Sequence, residues 1–282
     1  MKENAILLLN KPANISSNKA VNTVKHILGA SKAGHLGTLD VLGEGLLPIT
    51  LNKATKLFDF FLDKDKEYIT TFKFGQTSPT LDLEGPLTDE DINLNITEAQ
   101  ILSIIPKLIG KQNQMPPQYS AKKVNGQKAY DLARKGKEAK LKPKQIEIYD
   151  IKLLQKCGKN TFKFKIHCSS GTFIRSICRD LAEQLSTCGI MLNIIRTRCG
   201  IFKIEDSYTI SDIEKGKYSL INPEILFDLP ILQINDQQFS LLQNGVQIVI
   251  PNGKYKLFYE KEFLGIGESN QENKLKMIIK LF

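Results

Sequence analysis

The chain has 282 residues, which is enough for one large domain and a smaller one with a sizeable core. Its hydrophobic content of 41% is ordinary for a globular protein, and no apolar run approaches the ~20 residues that a membrane span requires. The net charge of +9 predicts a polyanionic partner, RNA or DNA, because no basic amphipathic helix favours a membrane surface.

The cysteines and histidines exclude several kinds of site. They are Cys157, Cys168, Cys178, Cys188, Cys199, His26, His35 and His167. The cysteines are odd in number and form no CxxC pair, so we expect reduced thiols that pack as small core hydrophobes in a cytoplasmic protein. The histidines are not paired at ligand spacing, so we expect no structural or catalytic zinc.

The first predicted elements are a strand and a helix. The apolar run over residues 5–9 carries no small-residue cleavage site and predicts a strand that ends at Lys11. Ser16 and Ser17 are N-cap candidates, and apolar residues then recur at helical spacing until Gly29. This pattern predicts a helix between the two signals.

A glycine-rich stretch over residues 34–48 follows. It holds four glycines and, among leucines and valine, the carboxylate of Asp40. Glycines at this density predict tight turns, and a carboxylate in apolar surroundings is costly unless it is paired or hydrogen-bonded. The pattern alone leaves two interpretations open: Asp40 forms an Asx turn, or it is a reactive group held in place. A helix is expected next, over residues 55–62.

The middle of the chain alternates strands and helices. Apolar and aromatic residues recur at every second position over residues 68–74, so the pattern predicts a half-buried strand with Tyr68 as a core residue. Thr97 and Gln100 form a capping box that opens a helix, which we expect to end at Gly110.

Positive charge is concentrated over residues 122–144. This segment holds nine basic and two acidic residues, which account for seven of the nine net charges. A charged run is usually a solvated surface, but this concentration favours a surface that binds nucleic acid. Tyr119 and Tyr130 interleave with the lysines and can stack on bases. The candidate RNA-binding residues are Tyr119, Lys122, Lys123, Lys128, Tyr130 and Arg134.

A strand over residues 161–168 leads through a turn into a helix that carries Arg175 in its first turn. A cation there opposes the helix dipole, so we expect Arg175 to face an anion. We hypothesise an ion pair with Asp40; the alternatives are a phosphate contact or a surface residue without a partner. Beyond residue 231 we expect short strands at residues 246–250, 255–259 and 275–281.

Several spaced motifs resemble the TruB family of tRNA pseudouridine-55 synthases. GHLGTLDVLGEGLLPITLNKATKL is similar to the family's catalytic motif, roughly GHxGxLDPxAxGxLPxxxGxATK. PPQYSAKKVNGQKAYDLAR resembles its PPxYSAxKxxGxxxYxxAR segment, and HCSSGTFIRSICRDLAEQL and IIRTRCGIF resemble two further motifs. Three departures are Val41, where the family usually has Pro, Gly43-Glu44, where it usually has a small pair such as Ala-Thr, and Phe173, where it usually has Tyr.

The resemblance implies an α+β pseudouridine synthase fold with a mixed, mostly antiparallel sheet flanked by helices. It implies a catalytic domain at residues 1–228, with an RNA-gripping insertion at about 105–145. It also implies a small C-terminal PUA-like RNA-binding domain at residues 229–282. The activity implied is isomerisation of uridine 55 in the T loop of tRNA, by a protein that we expect to be a cytoplasmic monomer.

The resemblance also implies roles for individual residues. Asp40 is the expected nucleophile, and Tyr68 and Arg175 are the other expected catalytic residues. The expected substrate-binding residues are Lys11, His35, Phe173 and Ile194. The basic segment is expected to grip the T arm, and the reaction needs no cofactor or metal. Two alternatives stay open: an RNA-binding protein with a vestigial pocket, and a pseudouridine synthase that acts on ribosomal RNA.

Overall fold

The computed structural model describes residues 3–61, 64–88, 91, 94–120, 123–124, 126–133, 136 and 139–282. The strands are β1 Ala5–Lys11, β2 Ala33–His35, β3 Glu44–Leu51, β4 Lys66–Phe74, β5 Gly110–Gln114, β6 Lys123–Val124, β7 Gln127–Lys128, β8 Lys144–Gly158, β9 Thr161–Cys168, β10 Gly189–Cys199, β11 Phe202–Lys203, β12 Ile231–Ile234, β13 Lys254–Tyr259, β14 Glu262–Ser269 and β15 Leu275–Lys280. The α-helices are α1 Ser17–Leu28, α2 Phe58–Phe61, α3 Glu98–Leu108, α4 Ala129–Ala133, α5 Ile174–Gln184, α6 Ile210–Glu214 and α7 Asp236–Gln243. Short 3₁₀ helices span Asn52–Leu57, Ile204–Asp206 and Pro223–Leu226.

A nine-stranded sheet organises most of the chain. Its strand order is β1-β3-β10-β4-β9-β8-β5, with β2 paired to β3 and β11 paired to β10. The β3–β10 pair is parallel and the other pairs are antiparallel. The expected mixed, mostly antiparallel α+β fold is therefore confirmed.

One face of this sheet carries the main apolar core. Alternation along β4 and β9 places Phe72 against Phe164, with ring centroids 5.1 Å apart, and Phe74 against Phe162 at 6.0 Å. Helices α1, α3 and α5 contribute to the same apolar cluster. This packing covers the sheet face from which Tyr68 also projects.

The helix signals in the sequence are confirmed at α1 and α3. The Ser16 hydroxyl accepts a hydrogen bond from the Lys19 N–H at 3.1 Å, and Gly29 ends α1 in the left-handed conformation with φ 58°. Thr97 and Gln100 form the predicted capping box of α3. Gly110 instead begins β5, since Ile109 is the C-cap of α3.

A separate four-stranded sheet of order β12-β13-β14-β15 forms the C-terminal part of the chain. It has an apolar cluster of its own, to which α7 contributes Leu242. A second cluster joins this sheet to the rest of the protein, because Phe258 and Ile266 pack with Ala54 and Leu57. The C-terminal sheet therefore has both its own core and an apolar contact with the larger part.

Some predicted elements differ from the structure. Residues 246–250 form no strand but one isolated bridge between Val249 and Lys274, because this apolar run is partly exposed in a loop. The helix expected over residues 55–62 is a 3₁₀ helix followed by the single turn of α2. The first residues of the expected insertion, 105–114, lie in the end of α3 and in β5, and the insertion itself stays a prediction.

The expectation that all cysteines lie in the core was wrong for two of them. Cys168, Cys178 and Cys199 are buried, whereas Cys157 and Cys188 are exposed. Cys157 lies near the end of β8, beyond the part that β5 covers, and Cys188 lies in the loop before β10. No helix in the described part of the chain is long and apolar enough to cross a lipid bilayer.

Candidate active site

A cleft of about 700 Å³ opens between the glycine-rich loop, β4, β10 and the start of α5. It brings together residues that lie far apart in the sequence. The predicted site residues that line it are His35, Asp40, Tyr68, Tyr119, Tyr130, Phe173, Arg175 and Ile194. Lys11 does not line the cleft but supports the loop that carries Asp40.

Hydrogen bonds to main-chain groups hold the loop around Asp40 in place. The Ser17 hydroxyl accepts a hydrogen bond from the Leu39 N–H at 2.9 Å and donates one to the Leu39 carbonyl at 2.8 Å. The Lys11 ammonium group donates to the Val41 carbonyl at 3.4 Å, and the Gly43 N–H donates to the Asp40 carbonyl at 3.0 Å. The side chain of Asp40 stays 42% exposed, so the anchored loop presents its carboxylate to the cleft.

Lys11 is itself fully buried, with main-chain oxygens as its hydrogen-bond acceptors. Besides Val41 it donates to the carbonyls of Pro12 and Ile15, at 2.9 and 2.8 Å. Burial lowers the pKa of Lys11 from its ordinary value of 10.5 to about 8, and the nearby carboxylates of Glu44 and Asp40 oppose that shift. At neutral pH the ammonium group of Lys11 is therefore a buried cation beside the loop that carries Asp40.

Asp40 forms an ion pair with Arg175, as hypothesised from the sequence. The Arg175 Nε atom lies 3.1 Å from an Asp40 carboxylate oxygen. The same guanidinium reaches Asp82 through Nη1 at 3.3 Å, and its other donors bind the carbonyls of Thr80 and Tyr119. Arg175 therefore divides its donors among four acceptors. The Asx-turn interpretation is also wrong, since the carboxylate contacts Arg175 rather than its own backbone.

Asp82 is a site residue to which the sequence pattern assigned no role. It is 1% exposed, and its carboxylate accepts a hydrogen bond from the Glu84 N–H at 3.0 Å. A buried carboxylate is stable only when it is paired, and Arg175 supplies the charge. Glu84 adds a third carboxylate to the cleft; burial, followed by the charges of Asp82 and Asp40, raises its pKa.

Tyr68 projects from β4 into the cleft and is 7% exposed. Burial raises the pKa of its phenol far above the ordinary value of 10, while the charge of Arg196 opposes that shift. The phenol is therefore neutral near pH 7. It can stack and donate a hydrogen bond, whereas a proton-accepting role would require a phenolate.

Phe173 and Ile194 lie on the same cleft but are positioned by different elements. Phe173 is the N-cap residue of α5, and Gln114 holds its main chain: the Phe173 N–H donates to Gln114 Oε1 at 2.9 Å, and Gln114 Nε2 donates to the Phe173 carbonyl at 3.1 Å. Ile194 is paired with Thr70 across β10 and β4. Gln114 is 2% exposed and carries no sequence signal that indicates this contact.

Two buried polar atoms that have no hydrogen-bond partner belong to residues of the cleft. Within the described residues, these are Nδ1 of His35 and Oγ of Ser120. Burial, together with the charge of Arg196, lowers the pKa of His35, so its imidazole is neutral near pH 7. Unpaired buried polar atoms are rare in folded proteins, and their presence here is typical of a site that binds a ligand.

The comparisons with known proteins identify the family. The family model "TruB family pseudouridylate synthase (N terminal domain)" matches residues 25–174. The chain belongs to the TruB family. The tRNA pseudouridine synthase B of Francisella tularensis subsp. holarctica is 35% identical over 289 residues, which cover 99% of this chain and 94% of the relative. That of Clostridium tetani is 35% identical over 280 residues, covering 95% and 96%.

A solved structure shares the fold of this TruB family member. A chain of an H/ACA RNP bound to a substrate RNA containing 2'-deoxyuridine matches with a TM-score of 0.69 and 22% sequence identity. The match covers 99% of this chain and 85% of that chain. Both the large sheet and the C-terminal sheet therefore lie within the shared architecture.

Arg196 and Lys66 are two buried cations of this TruB family member that the sequence pattern did not single out. Arg196 is fully buried, and Nε, Nη1 and Nη2 donate to the carbonyls of Leu46, Thr38 and Gly37 at 2.7, 3.3 and 3.1 Å. Lys66 is 7% exposed, and burial lowers its pKa. Both line the cleft, so its β4–β10 wall is positively charged.

The conformation of Gly45 explains why a glycine stands at this position of the glycine-rich stretch. Its φ is +94°, and a β-carbon built there would lie 2.5 Å from the main-chain oxygen of Arg196. The motif's glycine therefore allows the loop and β3 to approach β10 closely. That approach brings the Arg196 side chain within reach of the loop carbonyls.

The candidate RNA-binding residues are described only in part. Tyr119 and Tyr130 line the cleft, and the Tyr130 N–H donates to the Ser120 carbonyl at 3.1 Å. Lys123 and Lys128 are paired in the β6–β7 hairpin, but their side chains lie outside the described part. Lys122 and Arg134 also lie outside it. A search of the described residues finds no group of three or more His, Cys, Asp or Glu side chains that is placed to hold a metal ion.

Proposed function

We propose that this protein isomerises uridine 55 in the T loop of tRNA to pseudouridine. In this reaction the bond between N1 and the ribose C1′ breaks, the base rotates, and a bond forms between C5 and C1′. The proton on C5 leaves and N1 gains one, so the product has the same composition as the substrate. The observation that carries the proposal is the Asp40–Arg175–Asp82 network at the cleft of a TruB family chain.

The geometry supports different roles for Asp40, Arg175 and Asp82. As the nucleophile, Asp40 must be aimed at the sugar or base, and the contact with Arg175 at 3.1 Å orients its carboxylate. Asp82 in turn holds Arg175 from the buried side. Neighbours that orient a catalytic group in this way shorten the path to the reactive geometry.

The remaining cleft residues fit a flipped-out nucleotide. A base inside a folded loop must leave its stack before the chemistry, at a cost of a few kcal/mol. Tyr68, Phe173 and Ile194 offer ring and apolar surfaces for that base, and the unpaired Nδ1 of His35 offers a hydrogen-bonding partner. Lys11 contributes indirectly, by holding the loop that carries Asp40.

Replacing Asp40 with Asn tests the activity and the nucleophile together. The change keeps the shape and removes the charge, so we expect loss of turnover with near-normal tRNA affinity. Tritium released from C5-labelled uridine measures turnover, and filter binding measures affinity. Asp206→Asn, which changes an exposed carboxylate outside the cleft, is the control. Substantial turnover by Asp40→Asn contradicts the assignment.

The same assays separate the alternative functions. An RNA-binding protein with a vestigial pocket retains tRNA in filter binding but releases no tritium in its wild-type form. A ribosomal RNA synthase releases tritium from ribosomal RNA fragments and not from tRNA. Tyr119 and Tyr130, which line the cleft beside the basic segment, support the T arm as the partner.

We further propose that the basic segment contacts tRNA phosphates. Changing Lys122, Lys123 and Lys128 to Gln is then expected to weaken tRNA binding. It is also expected to reduce the log–log salt slope by roughly 0.7 for each phosphate that is no longer neutralised. Three exposed lysines outside the cleft, Lys203, Lys215 and Lys217, serve as the matched control. An unchanged slope indicates a solvated surface only.

The proposal includes a catalytic domain at residues 1–228, a PUA-like RNA-binding domain at residues 229–282, and a monomer in the cytoplasm. The separate C-terminal sheet with its own core supports the division. Light scattering of the purified protein tests the monomer, and cell fractionation tests the location.

A truncation near Leu229 that folds is expected to keep turnover on a saturating T-arm minihelix and to bind full tRNA more weakly. Complete loss of turnover contradicts this.

A further inference from the structure

Helix α2 carries three phenylalanines, two of which are explained by packing. Phe61 is 2% exposed, and its ring stacks on Phe202 with centroids 5.5 Å apart. Phe60 is 39% exposed and meets Phe227 edge-on at 5.7 Å, close to the contact with the C-terminal sheet. Both rings therefore stabilise the connection between elements of the fold.

Phe58 has no such partner among the described rings. It is 40% exposed and lines the cleft that contains Asp40. A single exposed apolar side chain is common on protein surfaces and indicates nothing by itself. An exposed aromatic ring that is continuous with a catalytic cleft is different, because its face is available to whatever enters the cleft.

The surroundings of α2 define the kind of ligand. A β-carbon built at Gly37 would lie 3.7 Å from both Lys66 Cε and Arg196 Nη1, so both cations lie beside the glycine-rich loop, in the cleft that Phe58 also lines. Phe61, the last residue of α2, lines the cleft with them, and Lys66 bonds the carbonyl of nearby Lys64. The carboxylates of Asp40 and Asp82 instead gather at Arg175. An exposed ring face in a cleft that also contains buried cations matches a nucleotide, which presents a π-face and a phosphate.

We propose that Phe58 is a stacking surface for a nucleobase of the RNA substrate, next to the uridine that is isomerised. The inference rests on the proposed function and adds a binding residue at the cleft's exposed rim. The target base is assigned to the buried surfaces of Tyr68 and Ile194, which are 7% and 6% exposed. Phe58, far more exposed, is suited to a neighbouring nucleotide outside that pocket.

Steady-state kinetics on tRNA tests the role of Phe58. Phe58→Ala is expected to raise KM about five- to a hundredfold, the range that loss of a base-stacking ring produces. It is expected to leave kcat at saturating tRNA within about twofold, because the Asp40–Arg175 network is untouched. Phe58→Trp, which retains a ring face, recovers most of the loss, whereas Phe58→Leu, which keeps only apolar bulk, does not.

Phe60→Ala is the matched control. It removes the same ring, of nearly equal exposure, from the same helix, but a ring that contacts Phe227 rather than the cleft. We expect it to lower the melting temperature and leave KM for tRNA unchanged. Equal KM values for Phe58→Ala and Phe60→Ala overturn the inference. A Phe58→Leu variant that binds as the wild type also overturns it, because stacking is then not required.

A fluorescent base reports the stacking directly. RNA with 2-aminopurine at single positions beside the target uridine is bound to the Asp40→Asn protein, which holds the RNA without converting it. One flanking position is expected to be quenched on binding, and Phe58→Leu in the same background is expected to abolish that quenching. If no labelled position shows quenching that depends on Phe58, the inference is rejected. A wild-type protein without turnover rejects the proposed function instead, so the two failures are distinguishable.

Discussion

The two walls of the cleft each contain a buried arginine, and the two arginines have different partners. On the α5 wall, Arg175 contacts the carboxylates of Asp40 and Asp82. On the β10 wall, Arg196 is completely buried; it donates hydrogen bonds to three main-chain carbonyls and also contacts the neutral phenol of Tyr68, so these partners are uncharged. One wall therefore pairs its buried cation with carboxylates, and the other surrounds its buried cation with uncharged acceptors.

This difference separates two tasks. A cation that contacts two carboxylates fixes their positions relative to each other, which orients the carboxylate of Asp40 in the cleft. A buried cation bound to uncharged acceptors such as carbonyls holds the backbone in place, and no acceptor among them neutralises its charge. Lys11 follows the second pattern, since its acceptors are also carbonyls. Positive potential in a cleft raises the local concentration of a polyanion such as RNA.

Among substitutions of the three buried cations Arg175, Arg196 and Lys11, the largest effect on the single-turnover rate is expected for Arg175→Lys. The ammonium group keeps the charge but cannot reach both carboxylates and two carbonyls at once, so Asp40 loses its orientation. We expect the single-turnover rate to fall ~100-fold or more with tRNA affinity nearly unchanged, a loss comparable to removing one preorganised donor. Arg179→Lys, on the same helix and paired with Asp180, is the control. A nearly normal rate with weaker binding indicates a phosphate contact instead.

A smaller effect is expected for Arg196→Lys. Carbonyl acceptors do not need a planar fork, and Lys11 shows that one ammonium group can serve several of them. The shorter side chain leaves one or two carbonyls unpaired, so the free energy of unfolding is expected to fall by about 1–3 kcal/mol. Urea denaturation measures this, and the single-turnover rate is expected to fall less than about tenfold. A rate loss equal to that of Arg175→Lys contradicts the division between the walls.

The smallest effect is a pH dependence of stability at Lys11. The folded-state pKa of about 8 lies below the ordinary value of 10.5, so between these values the unfolded chain binds more protons than the folded one. The wild type is therefore expected to gain stability relative to Lys11→Met as pH rises from about 8 to 10.5, with no relative change below that window. Denaturation at several pH values measures the difference. Lys19→Met, at an exposed position on α1, controls for net charge, and a constant difference across the window contradicts the expectation.

Local signals in the sequence were sufficient for much of the fold and for part of the site. Alternation predicted β4 and β9, and caps predicted α1 and α3, because these patterns depend on neighbours within a few residues. The position of Arg175 in the first turn of α5 indicated an anionic partner for the same reason. The prediction of a strand at residues 246–250 was wrong because alternation of apolar residues does not show whether a neighbouring strand is available.

The sequence by itself indicated the candidate catalytic groups: the glycine-rich loop with Asp40, the strand with Tyr68 and the helix with Arg175. Only the tertiary structure decided their partners. The Arg175 contact with Thr80 spans 95 residues of sequence, and the Arg196 contact with Leu46 spans 150. The second contact arises because β3 and β10 pair in one sheet, and no local periodicity specifies which strands become neighbours. The charge balance of each wall is therefore a property of the assembled sheet, because it depends on which acceptors the fold brings to each buried cation.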